Sequence, residues 1–214
     1  MSDGTDVTMP HDPQLAQGSG AAQPEPVPPT WRDRLLGPFR RGRARREAAQ
    51  RLYVALVEQA RQPVYYAAWG VPDSRDGRLE LVGLHAILLM RRLRALGQDG
   101  QELAQALFDV MFVDVDQHLR EWGVGDLSVG KHVKKLAQSF LGQAAAFDEP
   151  LTQADRAAVA DLLRRNVYTE VGEPDPVAIG RLADYLLAQE RALARQDGAA
   201  LIAGAVRFEV APAG

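Results

Sequence analysis

The chain has no cysteine among its 214 residues. That excludes disulfide scaffolds, thiolate zinc sites and cysteine nucleophiles. Long apolar runs are also missing: no window reaches the roughly 18 uninterrupted apolar residues that mark a spanning helix. The start shows no positive stretch followed by an apolar one, so no signal peptide is expected. Charge of one sign is not in excess either; the net value is −3, and nothing global calls for DNA or another nucleic acid. These absences describe a cytoplasmic protein, soluble or peripheral on the inner membrane. The length suits one domain, or one domain with a tail.

What the chain does contain comes in blocks. Residues 1–30 hold six prolines and three glycines with scattered apolar side chains. So little apolar area cannot offset chain entropy, and a disordered tail is expected. From Trp31 the character changes. The run WRDRLLGPFRRGRARREAAQR carries Arg32, Arg34, Arg40, Arg41, Arg43, Arg45, Arg46 and Arg51 against Asp33 and Glu47, a local charge of +6. Trp31, Leu35, Leu36 and Phe39 supply an apolar side. The combination suits an anionic membrane surface or RNA, although a solvated linker has the same composition. Residues 31–46 are read as a basic amphipathic linker, with Trp31, Arg32, Arg34, Leu35, Arg40, Arg41, Arg43, Arg45 and Arg46 as the membrane-surface candidates.

Residues 47–200 read as one helical domain and 201–214 as a C-terminal extension. A helix is expected over 47–61, stopped by Pro63 and followed by an aromatic-bearing connection with a turn at Ser74–Gly77. Leu79, Val82, Ala86, Leu89, Leu93 and Leu96 recur at helical period. After Gly97 and Gly100, Leu103, Ala104, Leu107, Val110, Met111 and Val115 mark the buried side of a helix ending near Trp122. Gly123 and Gly125 precede a helix over 128–147, with Asp126 or Ser128 as its cap. Thr152 is expected to cap a helix running to Val167, and Val177–Arg195 to form the last long one. No period-2 pattern recurs, so the expected fold class is all-α.

No convincing catalytic set emerges. Gly125-Asp-Leu-Ser-Val-Gly130-Lys131-His132 matches most of the phosphate-loop pattern. However, His132 replaces the hydroxyl that coordinates magnesium, and no strand precedes the loop. Asp114 and His118 share a helical face, with Asp109 and Asp116 on the same helix. That group holds a divalent metal only if His85 or His132 joins it. Pairing with Arg91, Arg92, Arg120 or Lys131 accounts for the same acids without a metal. A lone helical histidine among His85, His118 and His132 is more often structural than an iron ligand. Lys131, Lys134 and Lys135, with His132, make a basic ridge beside the acidic stretch from Asp109 to Asp126. A face carrying both signs suits protein contacts. No cofactor is expected.

The segment MFVDVDQHLREWGVGDLSVGKHVKKLAQSFLGQAAAF, residues 111–147, resembles the signature stretch of the ubiquinol–cytochrome c chaperone family. LYVALVEQARQPVYYAAWGVPDSRDGRLELVGLHAILLMRRL at 52–93 is similar to the family's start, and LRRNVY at 163–168 to a later helix. The resemblance implies an all-helical protein, not an enzyme, that binds newly made cytochrome b and assists assembly of the cytochrome bc1 complex. In mitochondrial members it further implies a small partner protein, ribosome contact and help with hemylation. The absence of a targeting segment favours a bacterial member. The motif falls on Asp114, Asp116, Leu119, Arg120, Gly123, Gly125, Asp126, Val129, Gly130, Lys131 and Lys134. Partner contact is expected from Asp114, Asp116, Arg120, Asp126, Lys131, Lys134 and Lys135, and from a groove lined by Tyr65, Tyr66 and Trp69. Phe108 and Phe112 fit the core better. Two other readings remain: a helical scaffold for another membrane or respiratory protein, and a metal- or nucleotide-dependent enzyme using Asp114, His118 and Lys131.

Overall fold

A computed structural model describes residues 31–212 except Val124, with side chains from residue 42 onward apart from those of Asp126 and Leu127. The expectations for residues 1–30, and for the side chains of Trp31, Arg32, Arg34, Leu35, Arg40 and Arg41, lie outside the described residues. The chain divides into two units, Met1–Gly37 and Pro38–Gly214. All regular structure among the described residues is helical: α1 Trp31–Ala60, α2 Pro63–Ala67, α3 Arg75–Arg94, α4 Gln98–Glu121, α5 Asp126–Thr152, α6 Arg156–Asn166, α7 Pro176–Arg195 and α8 Gly198–Ile202. The first unit contributes the start of α1; the rest of α1 and every later helix belong to the second.

The helix boundaries follow from local chemistry. Pro63 does not merely end the region after α1; it occupies the first turn of α2, where its missing N–H costs nothing. Ser74 caps α3 by accepting from the Gly77 N–H at 3.1 Å, and Arg91, Arg92 and Arg94 sit in the last turn against the helix dipole. Asp175 and Asp197 cap α7 and α8 in the same manner.

Two expected caps are corrected. The N-cap of α5 is Gly125, with no side-chain cap bond, and Ser128 instead turns its hydroxyl back to the Gly125 oxygen at 2.8 Å. Thr152 is the last residue of α5, and Asp155 caps α6 by accepting from the Ala157 and Ala158 N–H groups. Between them Ala154 takes φ +51°, a left-handed residue that ends one helix before the next begins.

The central element is α3. It packs against α4 and α7 and touches α8. Leu81, Leu84, Ile87, Leu88, Leu89, Met90 and Leu93 are all buried. The stripe expected from Leu79 to Leu96 captures one side only, and both of its ends are half-buried. A helix enclosed on every side is apolar all round, so a single-face pattern under-reads it.

A buried polar network ties the remaining pieces to this helix. His85 is fully buried; its Nδ1–H donates to the Leu81 oxygen at 2.7 Å, which leaves Nε2 to accept from the Tyr185 hydroxyl at 2.9 Å. Burial holds the imidazole neutral and pushes its pKa down to about 4. The Gln59 amide donates to Tyr185 at 2.8 Å and to the backbone oxygen of Glu209 at 3.1 Å. Gln189 exchanges two bonds with the Glu209 backbone, and Gln196 two with that of Arg207. The C-terminal segment is thereby strapped across the core without forming a strand, and the Phe208 ring lies 5.5 Å from that of His85.

Candidate docking groove

Where α1 ends, α3 begins and α4 nears its C-terminus, the helices leave a groove of about 170 Å³. Its walls carry Val57, Leu79, Val82, Val115, Leu119 and Leu136. Tyr53, Trp122, Asp114, His118, Arg61, Arg75 and Arg78 complete the lining. Ligand pockets commonly span about 300–1,000 Å³. The smaller volume suits a protruding apolar side chain better than a whole cofactor.

The polar lining is ordered by specific contacts. The Tyr53 hydroxyl donates to Asp114 Oδ2 at 2.6 Å, and burial, reinforced by that carboxylate, pushes the phenol well above its usual range. His118 Nδ1 lies 2.8 Å from the Asp114 backbone oxygen and 3.3 Å from its Oδ2. The His118 and Trp122 rings are 5.9 Å apart, and the Arg75 guanidinium stands 4.8 Å from the Trp122 centroid. At 43% exposure Trp122 is a large apolar surface facing water at the groove's mouth. Arg78 pairs with Asp73 at 2.6 Å and lies over the Tyr66 ring. Arg61 and Arg75 make no ion pair among the described residues.

The first half of α5 closes one side. Val129 is fully buried in a small cluster with Val115 and Leu119, to which Leu79, Phe112, Val133 and Leu136 add partial cover. Outward from this contact, Lys131, His132, Lys134 and Lys135 are exposed.

The sequence candidates separate by place in the fold. Asp114 is in the groove, and Asp116 and Arg120 form an exposed pair at 2.7 Å on the same helix. Lys131, Lys134 and Lys135 are surface groups on the neighbouring helix, where Asp126 is the first residue. Tyr65 and Trp69 are at 0% exposure within the aromatic core with Tyr185, which leaves no side-chain surface for a partner. Tyr66 is half-buried and donates to the Ala60 oxygen at 2.8 Å. Of the arginines further upstream, Arg43 pairs with Glu47 and Arg45 with Glu102 of α4, while Arg46 is exposed. Phe108 and Phe112 pack together against Phe140 on the core.

The enzymatic alternative finds no geometry here. The Gly125–His132 match runs into α5, where the Val129 N–H is spent on the Gly125 oxygen. No group of three or more His, Asp or Glu side chains able to hold a metal forms among the described residues. Each of His85, His118 and His132 turns Nδ1 to the backbone oxygen four residues earlier. Tyr53, Arg61 and Arg75 escaped the sequence reading, because nothing in the spacing from 53 to 75 announces that they meet α4. Trp122 carried a readable signal: a tryptophan at a helix end beside Gly123, which has φ +81°.

A family model described as Ubiquinol-cytochrome C chaperone matches residues 67–208, which include most of the groove and all of the helices from α3 to α8. The chain belongs to the ubiquinol-cytochrome C chaperone family. Among relatives, the Ubiquinol-cytochrome-c reductase complex assembly factor 1 of Xenopus laevis is 22% identical over 155 residues, covering 72% of this chain and 76% of the other. A solved structure, the Cbp3 homolog from Brucella abortus, superposes with a TM-score of 0.74 at 34% identity, over 83% of this chain and 97% of that one. This family comprises chaperones and assembly factors, not enzymes. No helix among the described residues is long and apolar enough to cross a membrane.

Proposed function

We propose that this protein is an assembly chaperone for ubiquinol-cytochrome c reductase and that its client is cytochrome b. The observation that carries the reading is the groove itself. An apolar cleft with a cationic and aromatic mouth is built partly from the signature stretch, through Asp114, Val115, His118, Leu119, Trp122 and Leu136. A newly made membrane protein exposes apolar segments that such a cleft shields without chemistry. The exposed Lys131, Lys134 and Lys135, with Asp116 and Arg120, then supply orienting charge around the cleft. Crosslinking pull-down from host membranes tests this. Wild type is expected to recover cytochrome b, and charge reversal at Lys131, Lys134 and Lys135 to reduce recovery. Enrichment of a different protein instead reassigns the client.

A membrane-embedded client is met at the membrane surface, and the arginine-rich segment from Trp31 supports that placement. Basic residues near anionic lipid contribute about 1 kcal/mol each. Replacing Arg32, Arg34, Arg40, Arg41, Arg43 and Arg46 by glutamine spares Arg45 and Arg51, which bond to Glu102 and to the Ala203 oxygen. Flotation with anionic liposomes is expected to fall for this variant, and undiminished flotation would sink the membrane role.

A further inference from the structure

Resting on that docking reading, we infer that the groove recognises a helical protein segment in which an apolar anchor is flanked by carboxylates, and that Arg61 and Arg75 read those carboxylates. The groove has positive charge left over. Among the described residues, the charged side chains that line it are Arg61, Arg75, Arg78 and Asp114. Arg78 is neutralised by Asp73. Asp114 accepts from the Tyr53 hydroxyl and lies beside His118, but neither neutral donor cancels its charge, which offsets one of the arginines. Arg61 and Arg75 form no ion pair among the described residues, so the lining keeps a positive excess. Arg75 makes a cation–π contact with Trp122, its guanidinium carbon 4.8 Å from the ring centroid, which uses none of its N–H groups.

Arg75 is also the first residue of α3, so the positive end of that helix adds to its field. The acid of the same turn, Asp76, is not part of the groove lining. An apolar interior alone would accept any greasy segment. The unpaired arginines give it a sign preference, because a carboxylate there forms a forked, charge-assisted bond, whereas a lysine meets like charge. The volume of about 170 Å³ admits an apolar side chain, leaving the flanking residues at the rim where the arginines stand.

The probe is a short acetylated and amidated helical peptide with a leucine–phenylalanine face flanked by glutamates. Two counterparts carry glutamine or lysine at the flanks. Binding to the full chain is read by fluorescence anisotropy of the labelled peptide. The expected order is glutamate, then glutamine, then lysine, with glutamate favoured over glutamine about tenfold at low salt. The double variant Arg61→Gln/Arg75→Gln is expected to bind glutamate and glutamine peptides alike, while Arg94→Gln, remote from the groove, keeps the preference. Equal binding of the two peptides by wild type, or a preference that survives the double variant, overturns the assignment and leaves a sign-blind docking groove. Failure of every peptide to bind overturns it as well, and crosslinking to cytochrome b then judges the chaperone reading by itself.

Discussion

His85 shows how a single residue carries a pH dependence. Its folded pKa of about 4 lies below the ordinary value near 6.5, since the enclosed ring cannot take up a charge. Between those two values the unfolded chain binds the extra proton. This residue therefore lowers stability progressively as pH falls from about 6.5 toward 4, by on the order of 3 kcal/mol in all. Urea unfolding of wild type and His85→Phe at pH 7 and pH 5 checks this: the variant is expected to lose less stability over that step, carboxylate effects being common to both. The variant also strips the Tyr185 hydroxyl of its acceptor, a loss common to both pH values, so the difference between them reports the imidazole. Tyr53 is a second case. Removing its hydroxyl in Tyr53→Phe strips Asp114 of a 2.6 Å donor and is expected to cost about 1–2 kcal/mol in chemical denaturation. Neither role shows in the sequence, where Tyr53 and Asp114 stand far apart and His85 is one more polar residue in an apolar run.

Helices α3 and α5 are long but differently held. The first is buried on all sides through its middle, whereas the start of the second rests, among the described residues, on a small cluster of Val115, Leu119 and Val129. Local opening follows buried apolar contact. Amide hydrogen exchange is therefore expected to be faster over 128–136 than over 81–93, and comparable protection in the two would contradict the small-cluster account. The boundaries of these helices were unequally legible. Ser74, read only as the start of a turn, caps α3, and Asp175, which no motif singled out, caps α7. The helix expected over 128–147 runs on to Thr152, with Pro150 inside its final turn. Two cap-type residues, Thr152 and Asp155, then lie within one turn, and only the backbone at Ala154 decides between them.

At the scale of the whole molecule, the C-terminal strap closes the core. Gln59, Gln189 and Gln196 all bond the backbone of Arg207 or Glu209, and Phe208 packs on the core behind them. Truncation after Gly204 is expected to lower stability by at least about 3 kcal/mol, through lost burial and orphaned amides, and thermal unfolding would reveal it. Gly204 itself has φ +83° and approaches Ala48 so closely that a Cβ would lie 2.8 Å from the Ala48 Cα, so Gly204→Ala is expected to destabilise by a similar route. By itself the sequence determined the helical class and the order of the long helices. Apolar periodicity, prolines and caps act over a few residues and need no distant partner. The signature stretch likewise pointed to the family. Tertiary structure alone decided that α3 lies at the centre, that Tyr65 and Trp69 are core rather than contact surface, and that Arg61, Arg75 and Trp122 share a groove with Asp114. Those facts depend on which faces of separate helices meet, and that is settled by the packing of the whole chain.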